Sequence, residues 1–374
     1  MVLPLLTRAR MRLFVRASAT LAIALAVGAG GAVTASGHGS PAKPIKVVGS
    51  GLNGPRQVST GFGHLLVAES DAGFITAINV KTKRKKVLVR GLFSPQGVVE
   101  SGGKLYIATG EPAPDSDPSG APPSGLMVAR PGGTAKMFAD LTAFELKYNP
   151  DRQIQFGPDG QPLDALSNPY FVLKDRAKHG FLLVADAGAN TVLKVDRRGK
   201  IRNFFTPPTV TTGACKTAPN NTKSGVGCDP VPTGLAYGPG GLLYVSALTA
   251  EMPGEGRVYV VNQRGKIVKV IKGFTAPTGV AVDKYGNVFV SELLEGSPPP
   301  NAPPPPGFDP STVGQIVKVP RWGQRKYAQV TMPSGLLWRD GKLWSSAWAI
   351  AGFVGIPNAG QVVIVDQRAF RSAK

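Results

Sequence analysis

The sequence predicts an all-β fold, a six-bladed β-propeller of four-stranded antiparallel blades. Two observations carry that prediction. A unit beginning Pro-x-Gly-apolar in four copies, with two weaker copies lacking the glycine, and followed by a turn and a Val/Leu/Tyr-rich strand recurs six times, and the spare strands at the two ends complement each other. Repeats of about 40 residues with four short strands per unit are the signature of propeller blades.

The strong copies are Pro95-Gln96-Gly97-Val98 leading to Leu105-Tyr106-Ile107, Pro232-Thr233-Gly234-Leu235 to Leu243-Tyr244-Val245, Pro277-Thr278-Gly279-Val280 to Val288-Phe289-Val290, and Pro333-Ser334-Gly335-Leu336 to Leu343-Trp344. Two weaker copies are Pro55-Arg56-Gln57-Val58, leading to Leu65-Leu66-Val67, and Pro169-Tyr170-Phe171-Val172, leading to Leu182-Leu183-Val184. These are the A and B strands of six blades. Each continues into C and D strands, as in Thr191–Val195 and Ile201–Phe204, joined by the Gly-containing turn Asp196–Lys200. The sixth unit ends after its C strand, Gln361–Val365, while Ile45–Val48 precedes the first A strand. That extra strand is expected to complete the last blade and close the ring, which removes a sheet edge. The propeller is therefore assigned to residues 45–370.

The N-terminus reads as an export signal. Arg8, Arg10, Arg12 and Arg16 precede an uncharged run of small apolar residues from Ala17 to Ala32, and Val33-Thr34-Ala35 offers a cleavage site. Residues 1–35 are assigned to a signal peptide and 36–44 to a leader, placing the mature chain outside the cytoplasm. The alternative is an uncut anchor, although the run is shorter than the ~20 residues that span a bilayer. Cys215 and Cys228, the two cysteines, close a short polar loop. An oxidising compartment favours a disulfide there; two free thiols are the alternative. Two cysteines cannot by themselves make a thiolate zinc site.

In such a blade the A–B and C–D turns share one face, and the B–C and D–A connections share the other. All the long segments fall on the second face: D–A near 139–167 and 206–230, and B–C near 110–124, 292–313 and 346–359. Binding residues concentrate on long loops held by rigid scaffolds, so a ligand site is expected on this face, around Arg56, Gln96, Asn168, Tyr170, Thr233, Thr278 and Ser334 near the starts of the A strands. The formal charge is +20, of which the four early arginines supply four. The rest gathers in the C–D turns: Lys81, Lys83, Arg84, Lys85 and Lys86; Arg197, Arg198 and Lys200; Arg264 and Lys266; Arg321, Arg325 and Lys326. The short-turn face is thus basic, either as a solvated surface or as an attachment surface for an anionic envelope polymer. The absence of aromatics interleaved with these charges argues against nucleic acid.

The sequence resembles the ScyD/ScyE family, secreted propellers related to the NHL repeat. Gly51-Leu52-Asn53-Gly54-Pro55-Arg56 carries part of the likeness. Asp140–Glu145 followed by Asn149-Pro150-Asp151, and Ser167-Asn168-Pro169-Tyr170 followed by Ala185–Asn190, carry the more specific part. The resemblance covers residues 45 to 366 and implies the fold and export. It departs at Gln57, where the family has glycine.

Six-bladed propellers also host lactonases and lyases, whose metal-dependent members place acids and amides at the starts of the A strands. Here those positions hold Arg56, Gln96, Tyr170, Thr233, Thr278 and Ser334, with no carboxylate or histidine. Calcium wants several oxygen ligands, usually including carboxylates, so no cofactor is expected, and a structural Ca2+ has no support. Glu69, Asp186 and Glu292 end B strands of alternate blades; they either share a cation or cap tight turns. His38 lies near the cleavage site, and His64 and His179 lie in A–B turns, away from the long loops. General acid–base chemistry thus lacks its commonest residue. Trp338 and Trp344 fit core packing, whereas Trp348 is a candidate for exposure. Pro298–Pro306 would form a polyproline segment, as a recognition strand or a spacer. The expected protein is a monomeric binding or scaffold propeller for a small molecule, glycan or protein. A propeller lactonase or lyase and an envelope-adherent structural protein are the alternatives.

Overall fold

A computed structural model describes residues 44–111, 122–176, 180–299 and 304–373. The expected signal peptide, His38, His179 and residues 300–303 of the proline tract lie outside them.

Six four-stranded antiparallel sheets form the propeller. Each begins with an A strand at one edge: Pro55–Gly61, Pro95–Ser101, Pro169–Lys174, Pro232–Tyr237, Pro277–Val282 and Leu336–Arg339. The ring closes as the end strands predict. Ile45–Leu52 pairs antiparallel with Gly360–Val365, with Ile45 opposite Val365, and becomes the outermost strand of the sixth blade.

The B strands read as continuous apolar runs because both of their faces are buried, and the period-2 alternation of side chains sorts them between two neighbours. In blade three, Leu183 and Ala185 pack toward blade four, against Leu235, Val245 and Tyr259. Leu182 and Val184 pack toward blade two, against Val99, Leu126 and Leu141. Blade one repeats the pattern, with Leu66 and Ala68 in one cluster and Leu65 and Val67 in the next. One apolar cluster fills each of the six blade interfaces. The core is therefore a ring of wedges, not a single centre.

The A strands meet closely at their starts because glycine stands at the crossing. A Cβ on Gly335 would lie 2.6 Å from the Cα of Gln57, and one on Gly279 would lie 2.3 Å from the Ser334 carbonyl oxygen. The repeated Gly of the sequence motif is thus a packing requirement of the ring.

Two D–A insertions build the long-loop face. The first opens with a short helix, α1 (Leu141–Tyr148), inside a segment whose sequence shows only a long connection. Asp140 caps its N-terminus, accepting from the Ala143 N–H at 2.8 Å, and Asn149 ends it in the left-handed region. The second insertion is stapled by the expected Cys215–Cys228 disulfide, with Cα atoms 5.2 Å apart. The two insertions touch where the Ile154 N–H donates to the Asn221 carbonyl at 2.8 Å. Among the described residues no helix is long and apolar enough to cross a membrane.

Candidate functional site

The residues expected to surround a ligand at the starts of the A strands do come together, as stitches between blades. Thr233 donates to the Pro277 carbonyl at 2.8 Å, and Thr278 to the Pro333 carbonyl at 3.1 Å. Gln96 reaches back to Ser94 and to Ser70 of blade one. The Arg56 guanidinium donates to the Ala349 carbonyl of the sixth blade and lies 3.7 Å from the Asp71 carboxylate. The Tyr170 hydroxyl and the Ser334 hydroxyl are 3.0 Å apart, joining blades three and six across the axis. Of the seven expected residues five are buried, and Asn168 and Tyr170 keep half-exposed surfaces.

Beneath Tyr170 lies Gln57, the residue that breaks the glycine pattern. Its amide nitrogen donates to the Val172 carbonyl at 2.8 Å, and its amide oxygen accepts from the N–H groups of Val172 and Val98 at 3.0 and 3.2 Å. One side chain from blade one thus joins the A strands of blades two and three and closes the axial channel from within.

The three acids that end B strands serve their own blades. Glu69 accepts from the Asn53 N–H at 2.9 Å and from the Thr76 hydroxyl. Asp186 accepts from the Ser167 hydroxyl and the Asn168 N–H, both at 2.7 Å. Glu292 accepts from the Thr275 N–H at 2.8 Å and the Gln315 amide at 2.6 Å. Each clamps its B strand to the connection that leads into strand A. Among the described residues no three acidic, histidine or cysteine side chains stand close enough to hold one metal ion.

A different acidic group gathers on the long-loop face, around a small recess between the two D–A insertions. Glu145 of α1, Asp151, Asp164 and Asn190 line it, and Glu111 and Asp186 lie close enough to interact. No ion pair of the described residues involves any of these five carboxyls. Burial, and then the charge of Asp151, push Glu145 up to about 8. Burial, followed by Asp164 and Asp186, pushes Glu111 up to about 7. Partial desolvation, and then Asp229, push Asp164 up to about 6 although much of its surface stays exposed, and burial takes Asp186 to about 6. Four buried acceptor oxygens on this side lack a protein donor: Gln96 Oε1, Glu145 Oε2, Asn149 Oδ1 and Asn168 Oδ1. The recess was not legible in the sequence, because its members are scattered between positions 111 and 190.

A larger cavity opens on the opposite face. It occupies about 560 Å³ of the axial channel between Gln57 and the A–B turns. Apolar A-strand residues such as Val172, Leu235 and Val280 line it, together with Phe171, Tyr237 and Trp338. Trp338 is held by stacking on Phe289, 5.3 Å between centroids. Lys174, Arg176 and Lys284 border it. Around it stand the cations of the C–D turns, all exposed except the half-buried Arg325. Trp322, beside Arg321, is 81% exposed, and Tyr285, beside Lys284, is 62% exposed. This face therefore does interleave aromatics with its charges, contrary to the sequence reading. The signal was a tryptophan between Arg321 and Arg325 in a turn. Trp348 is half-buried and packs with Leu293 and Met332, and Trp344 is buried as expected. His64 is half-buried and hydrogen-bonds the Phe62 carbonyl oxygen at 2.8 Å.

No protein-family model matches this chain, and no curated protein does. Many solved structures share its fold. A Thermus thermophilus protein described as an oxidoreductase (glucose dehydrogenase) is 14% identical, with a TM-score of 0.53 over 86% of this chain and 98% of its own. The calcium-binding protein regucalcin of Agrobacterium tumefaciens is 12% identical, with a TM-score of 0.51 over 86% and 92%. A gluconolactonase from Xanthomonas campestris is 11% identical, with a TM-score of 0.51 over 86% and 89%. At these identities the likeness establishes the six-bladed fold alone.

Proposed function

We propose that this chain is an exported, ScyD/ScyE-like binding propeller that adheres to a polyanionic envelope surface through its short-turn face. The observation that carries this reading is the ring of exposed cations in the C–D turns of blades one, three, four and five, with Trp322 and Tyr285 exposed among them. Like-signed charges on a rigid disc add their fields toward a planar or polymeric anion, and flat aromatics add contact area at low entropic cost. The disulfide and the lack of a membrane-spanning helix among the described residues are compatible with export. The experiment is retention on immobilised polygalacturonate against neutral dextran. Wild-type protein should bind the first and elute as salt shortens the screening length to about 3 Å near 1 M. The variant Lys81→Glu/Lys83→Glu/Arg84→Glu should elute at clearly lower salt. Retention that is equal on both resins, or unmoved by salt, defeats the reading.

A second reading keeps the long-loop face, as a ligand or reaction site of the propeller lactonase or lyase kind. The specific observation in its favour is the recess, where carboxyls poised near neutrality stand beside acceptor oxygens without donors; perturbed acids in a cleft are what proton-transfer chemistry uses. A ligand there would meet Asn168 and Tyr170 before the buried ring of Arg56, Gln96, Thr233, Thr278 and Ser334. Elemental analysis tests its metal-dependent form. A stoichiometric metal whose chelation abolishes lactone hydrolysis would support it, and metal-free protein with no such activity would remove it.

A further inference from the structure

We propose that the axial cavity on the short-turn face is a binding site for a small amphipathic anion, an aromatic or compact apolar body bearing one carboxylate or phosphate. This stands apart from the polymer-binding reading, which concerns the C–D turns at the periphery.

Three features argue for it. First, the cavity has an end. Gln57 bridges blades one, two and three, and the A strands touch above it through Gly279 and Gly335. A ligand entering from the short-turn face meets the polar amide of Gln57. Second, the walls combine two kinds of surface. The A strands are the innermost strands of their sheets, so their inner edges face the axis without a strand partner. Unpaired edge N–H and C=O groups are ready hydrogen-bonding partners. The half-buried Leu173, Ala236, Tyr237, Leu337 and Trp338 supply the apolar part. A volume of about 560 Å³ lies within the ~300–1,000 Å³ of small-molecule sites.

Third, the rim selects a sign. Arg176 lies over the Tyr237 ring at 5.1 Å, and Lys284 over the Tyr285 ring at 4.9 Å. Both are exposed, and neither is in an ion pair among the described residues. The nearby carboxylates are already committed. Asp175 pairs with Lys194 and accepts from the Tyr237 hydroxyl at 2.8 Å. Asp283 accepts from the N–H groups of Tyr285 and Asn287, both at 2.9 Å, within its own turn. Glu100 stands 3.7 Å from Lys174. Asp283 also lines the cavity, held by hydrogen bonds within its own turn, and the cations Lys174, Arg176 and Lys284 at the mouth outnumber it; a planar guanidinium stacked on tyrosine is preorganised for a carboxylate or phosphate.

The test uses 1-naphthoate as probe, with 1-naphthalenemethanol and 1-naphthylmethylamine as its neutral and cationic counterparts, by titration calorimetry on the full mature chain. Saturable one-to-one binding of naphthoate is expected, with affinity falling in the order anion, neutral, cation. Arg176→Ala/Lys284→Ala, which changes exposed side chains only, should weaken naphthoate at least tenfold and leave the neutral probe within threefold. Ala236→Trp, at a half-buried position of the wall, should abolish both; its thermal midpoint confirms that it is folded, and Ala236→Phe serves if it is not. Absence of saturable binding at millimolar naphthoate overturns the proposal, as does equal affinity for the three probes or undiminished binding by the filled variant. Polygalacturonate retention can fail while naphthoate binds, and the reverse, so the two readings fall separately.

Discussion

Replacing Glu145 by glutamine should stabilise the protein at high pH and do little at low pH. The carboxyl is 2% exposed, its Oε1 accepts from Gln155 at 2.9 Å, and its Oε2 has no protein donor. Burial, and then Asp151, raise it from 4.5 to about 8 in the folded protein. A carboxyl whose folded value lies above its unfolded value favours the fold while it is protonated. That contribution is whole below pH 4.5 and is lost as pH rises toward 8, because the unfolded chain ionises freely and the folded chain cannot. At about 1.4 kcal/mol for each pH interval of one, the full penalty at pH 9 approaches ~5 kcal/mol. The neighbouring acids of the recess share that strain and relax with it, so about 3 kcal/mol is the expected gain for Glu145→Gln at pH 9. Glutamine keeps the shape and can accept the Gln155 hydrogen bond, so at pH 4.5 the two proteins should agree within about 1 kcal/mol. Urea unfolding of both proteins at pH 4.5, 7 and 9 measures this directly. A stability difference that stays constant across that range would refute the argument that a buried charge is the cost.

Gln57→Ala leaves the Val98 and Val172 N–H groups without their side-chain acceptor; a loss of ~1–3 kcal/mol is expected, with faster amide exchange at those two residues, read by urea unfolding and hydrogen exchange. Cys215→Ser/Cys228→Ser opens a loop with a sequence separation of 13, for which ~3 kcal/mol is expected. The loss should show as a lower thermal midpoint and as faster proteolysis between residues 206 and 230, with β-sheet circular dichroism retained.

The blades were legible because a propeller repeats its local code. Each Pro-x-Gly marks a place where an A strand must approach its neighbour too closely for a Cβ, and each apolar B strand marks a sheet buried on both faces. Ring closure was legible from the unmatched strands at Ile45 and Val365. The cysteine pair followed from compartment and spacing. What escaped was long-range assembly. Glu111, Glu145, Asp151, Asp164 and Asp186 come from a B–C connection, a helix, an insertion and a strand end, and no spacing rule joins them. Helix α1 escaped because eight residues with only Leu141 and Glu145 buried make too short a stripe to show a 3.6-residue period. Gln57 was visible as a departure from glycine, but only the fold reveals that its amide spans from blade one to blades two and three. The expectation that the A-strand starts would present their polar side chains to a ligand met a geometric fact. Arg56, Thr233 and Thr278 donate to carbonyls of adjoining blades, and Tyr170 and Ser334 join across the axis, contacts that the repeat alone does not show.

The pairing of Ile45 with Val365 sets the order of events when the chain matures. A polypeptide that emerges N-terminus first delivers Ile45–Leu52 long before Gly360–Val365 exists to receive it. Until then the first strand is a loose end, and the first and last blades each lack a neighbour. The ring can therefore lock only after nearly all of the chain is available. Such distant contacts come with slow, late-stage folding, so for much of its early life the molecule is an open arc whose unmated strands need shielding from other copies of itself.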